Sequence, residues 1–180
     1  PDDVRKWALN EPFDVTGNFP GQRTKPAHHW EGIKESIQGI MRHAGGRITD
    51  WEFDVNGAFQ YTTENDKTWV HFDGNTTWAG VCFLTPDAPL NSGTGLFKHK
   101  EIGCTHAPKL EDGTYDLIKQ DKIDSEAQDM SKWEMQSMVG NVYNRLVLYR
   151  GSMYHTSLDY FGTDKYNGRL FQTFFFNSQH

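Results

Sequence analysis

The chain has 180 residues, enough for one domain with a full hydrophobic core, and an aromatic share of 14% that favours a β-rich interior of ring-filled layers. A formal net charge of −6 argues against an extended phosphate-binding surface, so nucleic acid is not an expected partner. No apolar run approaches membrane-spanning length and the start is not signal-like, while Cys82 and Cys104 are too far apart for a metal knuckle and read as reduced thiols of a cytoplasmic protein.

Asp2 and Asp3 favour the first turn of a helix running through Ala8. A Gly- and Pro-containing loop is expected over 11–29. Ile33, Ile37, Ile40 and Met41 then form one stripe, which predicts an amphipathic helix over 31–43 with a glycine stop at Ala44-Gly45-Gly46. Strands are expected over 49–54, 58–63 and 68–71, joined through Asn56-Gly57 and Asn65-Asp66, with a further strand over 78–84. Ser125-x-x-Gln128 has the form of a capping box and predicts a late helix carrying Met130, Trp133, Met135 and Met138. That helix falls in a polar excursion over about 101–144, either an insertion packed outside the core or a lid. Strands return over 144–151, 152–157 and 168–177, the last too aromatic to be anything but buried. The expected organisation is one domain over 1–180, with a helical and loop part (1–48) and a β core (49–177).

Three His-x-acid pairs occur: His29 with Glu31, His71 with Asp73, and His99 with Glu101. Side chains at i and i+2 diverge on a helix but share a face on a strand. The first pair, at the head of a helix, is therefore unsuited to a shared metal. His71 and Asp73 end a strand beside the polar turn Asp73-Gly74-Asn75, where a ligand pair can reach a metal at the mouth of a barrel. They are preferred to His99 and Glu101. His155, on a late strand, supplies a second imidazole. Two histidines and one carboxylate cap one face of an octahedral ion and leave open positions, as in non-haem Fe(II) enzymes.

Arg169 opens the most hydrophobic run and shares a strand face with Phe171, Thr173 and Phe175. A cation on an inward face needs a partner, and a ligand carboxylate held bidentately would serve. Thr173 is placed to support such a ligand. Tyr61 is expected to line the same pocket, whereas Trp69 reads as core packing.

A His-x-Asp, a strand, a Gly-rich turn (Gly93-Thr94-Gly95), a distal His and an Arg on the last strand together resemble the 2-oxoglutarate/Fe(II)-dependent oxygenase superfamily. The prolyl-hydroxylase-like branch and its uncharacterised relatives are the nearest in appearance. The resemblance covers roughly 51–177. It implies a double-stranded β-helix (jelly-roll) core with flanking helices in a β-rich α+β fold. It also implies Fe(II) at His71, Asp73 and His155, with 2-oxoglutarate as co-substrate clamped by Arg169. O2 and a small-molecule or peptide substrate would complete the reaction, whose default outcome is hydroxylation of a C–H bond. Two departures bear on the clamp: Phe171 stands where many members carry a serine, and Lys165 has the spacing of a clamp lysine. A metal-dependent cupin-type enzyme without 2-oxoglutarate, or a non-catalytic ligand-binding jelly roll, are the alternative readings.

Overall fold

In the computed structural model, which describes residues 1–28, 31–43, 46–51 and 55–179, strands dominate and few helices are present. In chain order the elements are α1 (Asp2–Asn10), β1 (Gln22–Pro26), α2 (Glu31–Met41), β2 (Arg47–Trp51), β3 (Ala58–Thr62), β4 (Trp78–Phe83), β5 (Thr94–His99), α3 (Leu117–Ser125), β6 (Trp133–Val139), β7 (Leu146–Arg150), β8 (His155–Ser157) and β9 (Arg169–Gln179). They build two antiparallel sheets. The larger runs β1-β3-β9-β4-β7, with β2 also paired to β9; the smaller runs β6-β5-β8.

β9 sits at the centre of the larger sheet because its composition can be buried on both faces. The two-residue repeat of a strand divides it. Leu170 joins Ala8 of α1, Phe59 and Leu84 in one apolar cluster. Phe174 and Phe176 pack with Ile37 and Met41 of α2, together with Ile48 and Trp51. The helices thus cover the outer face, and each buried phenylalanine contributes roughly 1.5–3 kcal/mol. Arg169, Phe171, Thr173 and Phe175 face the other way, into a cavity of about 320 Å³. Thr94 of β5 and His155 and Ser157 of β8 line it as well, so both sheets contribute to its walls.

Several expected elements take a different form. The loop over 11–29 contains β1, which pairs with β3 through Gln22↔Tyr61 and Arg23↔Gln60; an edge strand of Gln, Arg, Thr, Lys and Pro carries no apolar alternation to betray it. Residues 68–71 are extended but make only an isolated bridge, His71↔His155, rather than a ladder. The late helix lies earlier than its capping box suggests. Asp116 caps α3 by accepting from the Lys119 amide at 3.2 Å, and Ser125 sits at the other end, donating to the Lys122 carbonyl. Trp133, Met135 and Met138 belong to β6, which pairs along β5 with a bulge between Leu96 and Phe97. The excursion over 101–144 is therefore not an external insertion, since it supplies an edge strand of the smaller sheet. The strand expected over 49–54 starts at Arg47 and is described to Trp51; 52–54, His29, Ala44 and Gly45 lie outside the described residues.

Candidate functional site

His71 and His155 face each other across a two-way backbone bridge. The His71 amide donates to the His155 carbonyl at 3.0 Å, and the His155 amide returns the bond at 2.8 Å. Directly opposed residues of an antiparallel pair project to one face, and the ring centroids lie 4.5 Å apart. On its other side, His155 is paired with Leu96 of β5. Asp73 follows two residues after His71, and its amide donates to the Gly151 carbonyl at 2.7 Å. Gly151 has no Cβ for a reason of space: one would lie 2.7 Å from the Asp73 carbonyl oxygen and closer still to that of Thr76.

The donor atoms of His71, Asp73 and His155 all lie within 4.8 Å of one another, and among the described residues no other group of three His, Cys, Asp or Glu side chains does so. Each imidazole is oriented through its far nitrogen. His71 Nδ1 bonds the Trp69 carbonyl at 3.0 Å, and His155 Nδ1 bonds that of Met153 at 2.9 Å. With Nδ1 carrying the proton, Nε2 presents its lone pair to the site, the backbone arrangement that orients metal-binding histidines. Burial, reinforced by the neighbouring His71, lowers the His155 pKa to about 4, Asp73 opposing the shift, so the ring is neutral near pH 7. His155 Nε2 then faces Asp73 Oδ2 at 3.4 Å as one electron-pair donor facing another. A cation between them relieves that repulsion. Two adjacent ligands of an octahedral ion, with bonds of roughly 2.0–2.2 Å, sit about 3 Å apart.

Arg169 is 1% exposed. Its Nε donates to the Ser92 carbonyl at 2.8 Å and Nη2 to that of Gly93 at 3.3 Å, while its carbon lies 4.4 Å from the Phe171 ring centroid. Among the described residues no carboxylate forms an ion pair with it. Burial lowers its pKa to about 10, which leaves it charged near neutrality. Lys165, the alternative clamp, lies outside the cavity with its ammonium 5.3 Å from the centroid of the Phe13 ring.

Thr173 lines the cavity but directs its hydroxyl proton to the Ala58 carbonyl at 3.3 Å, away from the supporting role expected of it. Tyr61 is not at the site. Its ring packs edge-on to Phe13 at 4.9 Å and its hydroxyl donates to Gln22 at 2.9 Å. Its neighbour Gln60 has the inward parity and lines the cavity. Trp69 also lines it, 5.8 Å from the His71 ring, rather than filling the core. His99 is fully buried and bonds Glu126 through Nε2 at 2.8 Å, while Glu101 pairs with Lys122 at 3.0 Å, so these two do not share a site. Sequence reasoning missed Arg23, Gln60 and Tyr149. Tyr149 on β7 places its ring 4.4 Å from that of His155, a placement that follows from sheet order and leaves no local signal.

These features define a β-rich protein of two antiparallel sheets with a His-Asp-His cluster and a buried arginine in the cavity both sheets line. The chain belongs to the family described as a family of unknown function (DUF6445), whose model matches residues 1–176. A comparison with curated proteins finds no match. Among the described residues no helix is long and apolar enough to cross a membrane.

Proposed function

We propose that this protein is a non-haem Fe(II)- and 2-oxoglutarate-dependent dioxygenase that hydroxylates a C–H bond of its substrate. The observation that carries the reading is the pairing, in one cavity, of a three-donor cluster with a buried guanidinium that has no carboxylate partner among the described residues. A three-ligand site leaves positions for two further ligands. A cation without a counter-charge awaits an anion. The path of the chain supports a jelly-roll core for this chemistry. β3, β9, β4 and β7 are neighbours in one sheet, while the 68–71 segment bridges to β8, which continues through β5 to β6 in the other.

His71, Asp73 and His155 would hold the metal, with Asp73 supplying the negative charge that neutral imidazoles lack. Bound Fe(II), with 2-oxoglutarate and O2, supplies the oxidising power and yields succinate, CO2 and a hydroxylated product. The chain's own contribution is positioning. Arg169 fixes the far carboxylate of the oxo-acid through its end-on N–H groups, since Nε and one Nη2 proton are committed to Ser92 and Gly93. Val81, Phe171 and Phe175 line the wall beside it and exclude water.

The test is a titration of the purified protein with Mn(II) by electron paramagnetic resonance, then with 2-oxoglutarate by calorimetry, followed by O2-dependent succinate release with Fe(II). Wild type is expected to bind both. Arg169→Gln removes one partner of a buried charge pair, at a cost of about 3 kcal/mol. It should weaken 2-oxoglutarate about a hundredfold and leave Mn(II) affinity near normal. Lys165→Ala should change neither. Metal binding without any oxo-acid binding gives the site to a cupin-type metal enzyme, and absence of metal binding leaves a non-catalytic ligand-binding protein.

A further inference from the structure

A second arginine faces the same cavity from its other side. Arg23, on β1, stands opposite Gln60, which in turn stands opposite Phe171 of β9. Its guanidinium carbon lies 4.0 Å from the centroid of the Phe19 ring. Gln60 Oε1 accepts from Arg23 Nε at 2.9 Å and from Nη2 at 2.6 Å. The amide itself is aimed, because its Nε2 donates to the Pro20 carbonyl at 2.7 Å. Five N–H donors surround a guanidinium. Gln60 takes those along one side, leaving Nη1 and the outer N–H of Nη2, the end-on fork that matches a carboxylate. Among the described residues Arg23 forms no ion pair. The fold thus holds a cation rigidly, on an aromatic platform, with its bidentate edge unengaged.

The two arginines are separate subsites. Two strand spacings, each about 4.8 Å, separate the backbone of Arg23 from that of β9. The electrostatic neighbour of Arg23 is Asp73, whereas those of Arg169 are Tyr160 and Tyr149. Charge balance points the same way. The cavity lining holds two guanidiniums and one carboxylate, Asp73. A divalent ion takes the site to plus three, and a dicarboxylate oxo-acid brings it back to plus one. One more carboxylate closes the balance, and an uncompensated charge at a partly buried site is costly. The volume of about 320 Å³ is near the lower end for ligand sites, and the oxo-acid must share it. Phe19, Trp69 and Phe72 form apolar walls.

We propose that Arg23, held by Gln60, binds a carboxylate of the primary substrate, and that this substrate is a small carboxylic acid with an apolar body. The assignment rests on the oxygenase reading of the same cavity and adds the class of molecule oxidised.

Mn(II)-loaded protein with 2-oxoglutarate is titrated with 3-phenylpropionate and hexanoate, and with their amides, 3-phenylpropionamide and hexanamide. Calorimetry gives affinity, and paramagnetic broadening of the probe protons shows proximity to the metal. Both acids should bind near Mn(II), at least about tenfold tighter than their amides. Arg23→Gln should abolish that preference while Mn(II) and 2-oxoglutarate bind as before, and Arg23→Lys should keep part of it. Equal binding of acids and amides, no binding of either acid, or a preference that survives Arg23→Gln overturns the assignment. If Arg23→Gln loses 2-oxoglutarate and Arg169→Gln does not, Arg23 is the oxo-acid clamp; the substrate assignment falls and the oxygenase reading stands. If wild type binds no 2-oxoglutarate yet prefers acids through Arg23, the carboxylate site stands and the oxygenase reading falls.

Discussion

Asp73 and Glu101 occupy the same place in two His-x-acid pairs, yet their surroundings give them opposite roles. Asp73 points at His155 with no Lys or Arg within salt-bridge reach among the described residues, and in the proposed site a metal would supply the missing charge. Glu101 is already served by Lys122, and His99 by Glu126. Asp73→Ala is therefore expected to lose Mn(II) binding by two orders of magnitude or more, because an imidazole ligand brings no negative charge to the ion. Glu101→Ala should bind as wild type and cost under about 1 kcal/mol in stability, as exposed ion pairs do. Resonance titration of both variants decides it; equal loss in the two would remove Asp73 from the site.

At the level of elements, the His-Asp-His cluster depends on how two chain segments dock rather than on any one strand. The 68–73 segment has no ladder of its own. It is held at His71 by β8 and at Asp73 by the carbonyl of Gly151, where β7 turns towards β8. Gly151→Ala would force a methyl group against two carbonyl oxygens, so the Asp73–Thr76 turn must move outward. The expected result is a folded protein, destabilised by about 1–3 kcal/mol, with Mn(II) affinity reduced about tenfold or more while its circular dichroism stays native. Unchanged metal affinity would mean that Asp73 is positioned by something other than this contact. The pairing of β5 with β6 carries its extra residue, Gln136 of β6, opposite the step from Leu96, the partner of His155, to Phe97. A bulge adds twist and re-aims side chains.

On the scale of the whole molecule, α1, β3 of the larger sheet and the residues leading to α2 meet at His28. It is 7% exposed, with Trp7 edge-on at 4.4 Å and Phe59 stacked at 6.4 Å. Burial lowers its pKa to about 4 from an ordinary value of 6.5. Between those two values the unfolded chain binds more protons at this position than the folded one. The stability His28 contributes is thus fully present above pH 6.5 and is lost as the pH falls through 4. Thermal unfolding of wild type should show Tm falling across that window. His28→Phe, which keeps a ring between Trp7 and Phe59, should show a shallower fall; an identical slope in both proteins would place the acid sensitivity elsewhere.

The residues that converge on the cavity were partly legible in the sequence because their signals are local. A two-residue strand repeat puts His71 and Asp73 on one side, and the same repeat in β9 turns Arg169, Phe171, Thr173 and Phe175 inward while Leu170, Phe174 and Phe176 meet the helices. Composition alone makes β9 a buried strand. The tertiary structure decided everything that depends on pairing between distant segments. Whether Gln60 or Tyr61 faces the cavity is a question of one residue in register, which the alternation of β3 leaves open, since nearly every side chain in that strand is buried. Arg23 enters the site only because β1 pairs with β3, and an edge strand of polar residues has no apolar face to announce it. Trp133 to Val139 reads as a continuation of a helix until β5 offers hydrogen-bond partners that local propensity does not contain. Residue chemistry and short-range parity are written in neighbouring positions, whereas the walls of a cavity between two sheets are set by which strands, many residues apart, come to lie side by side.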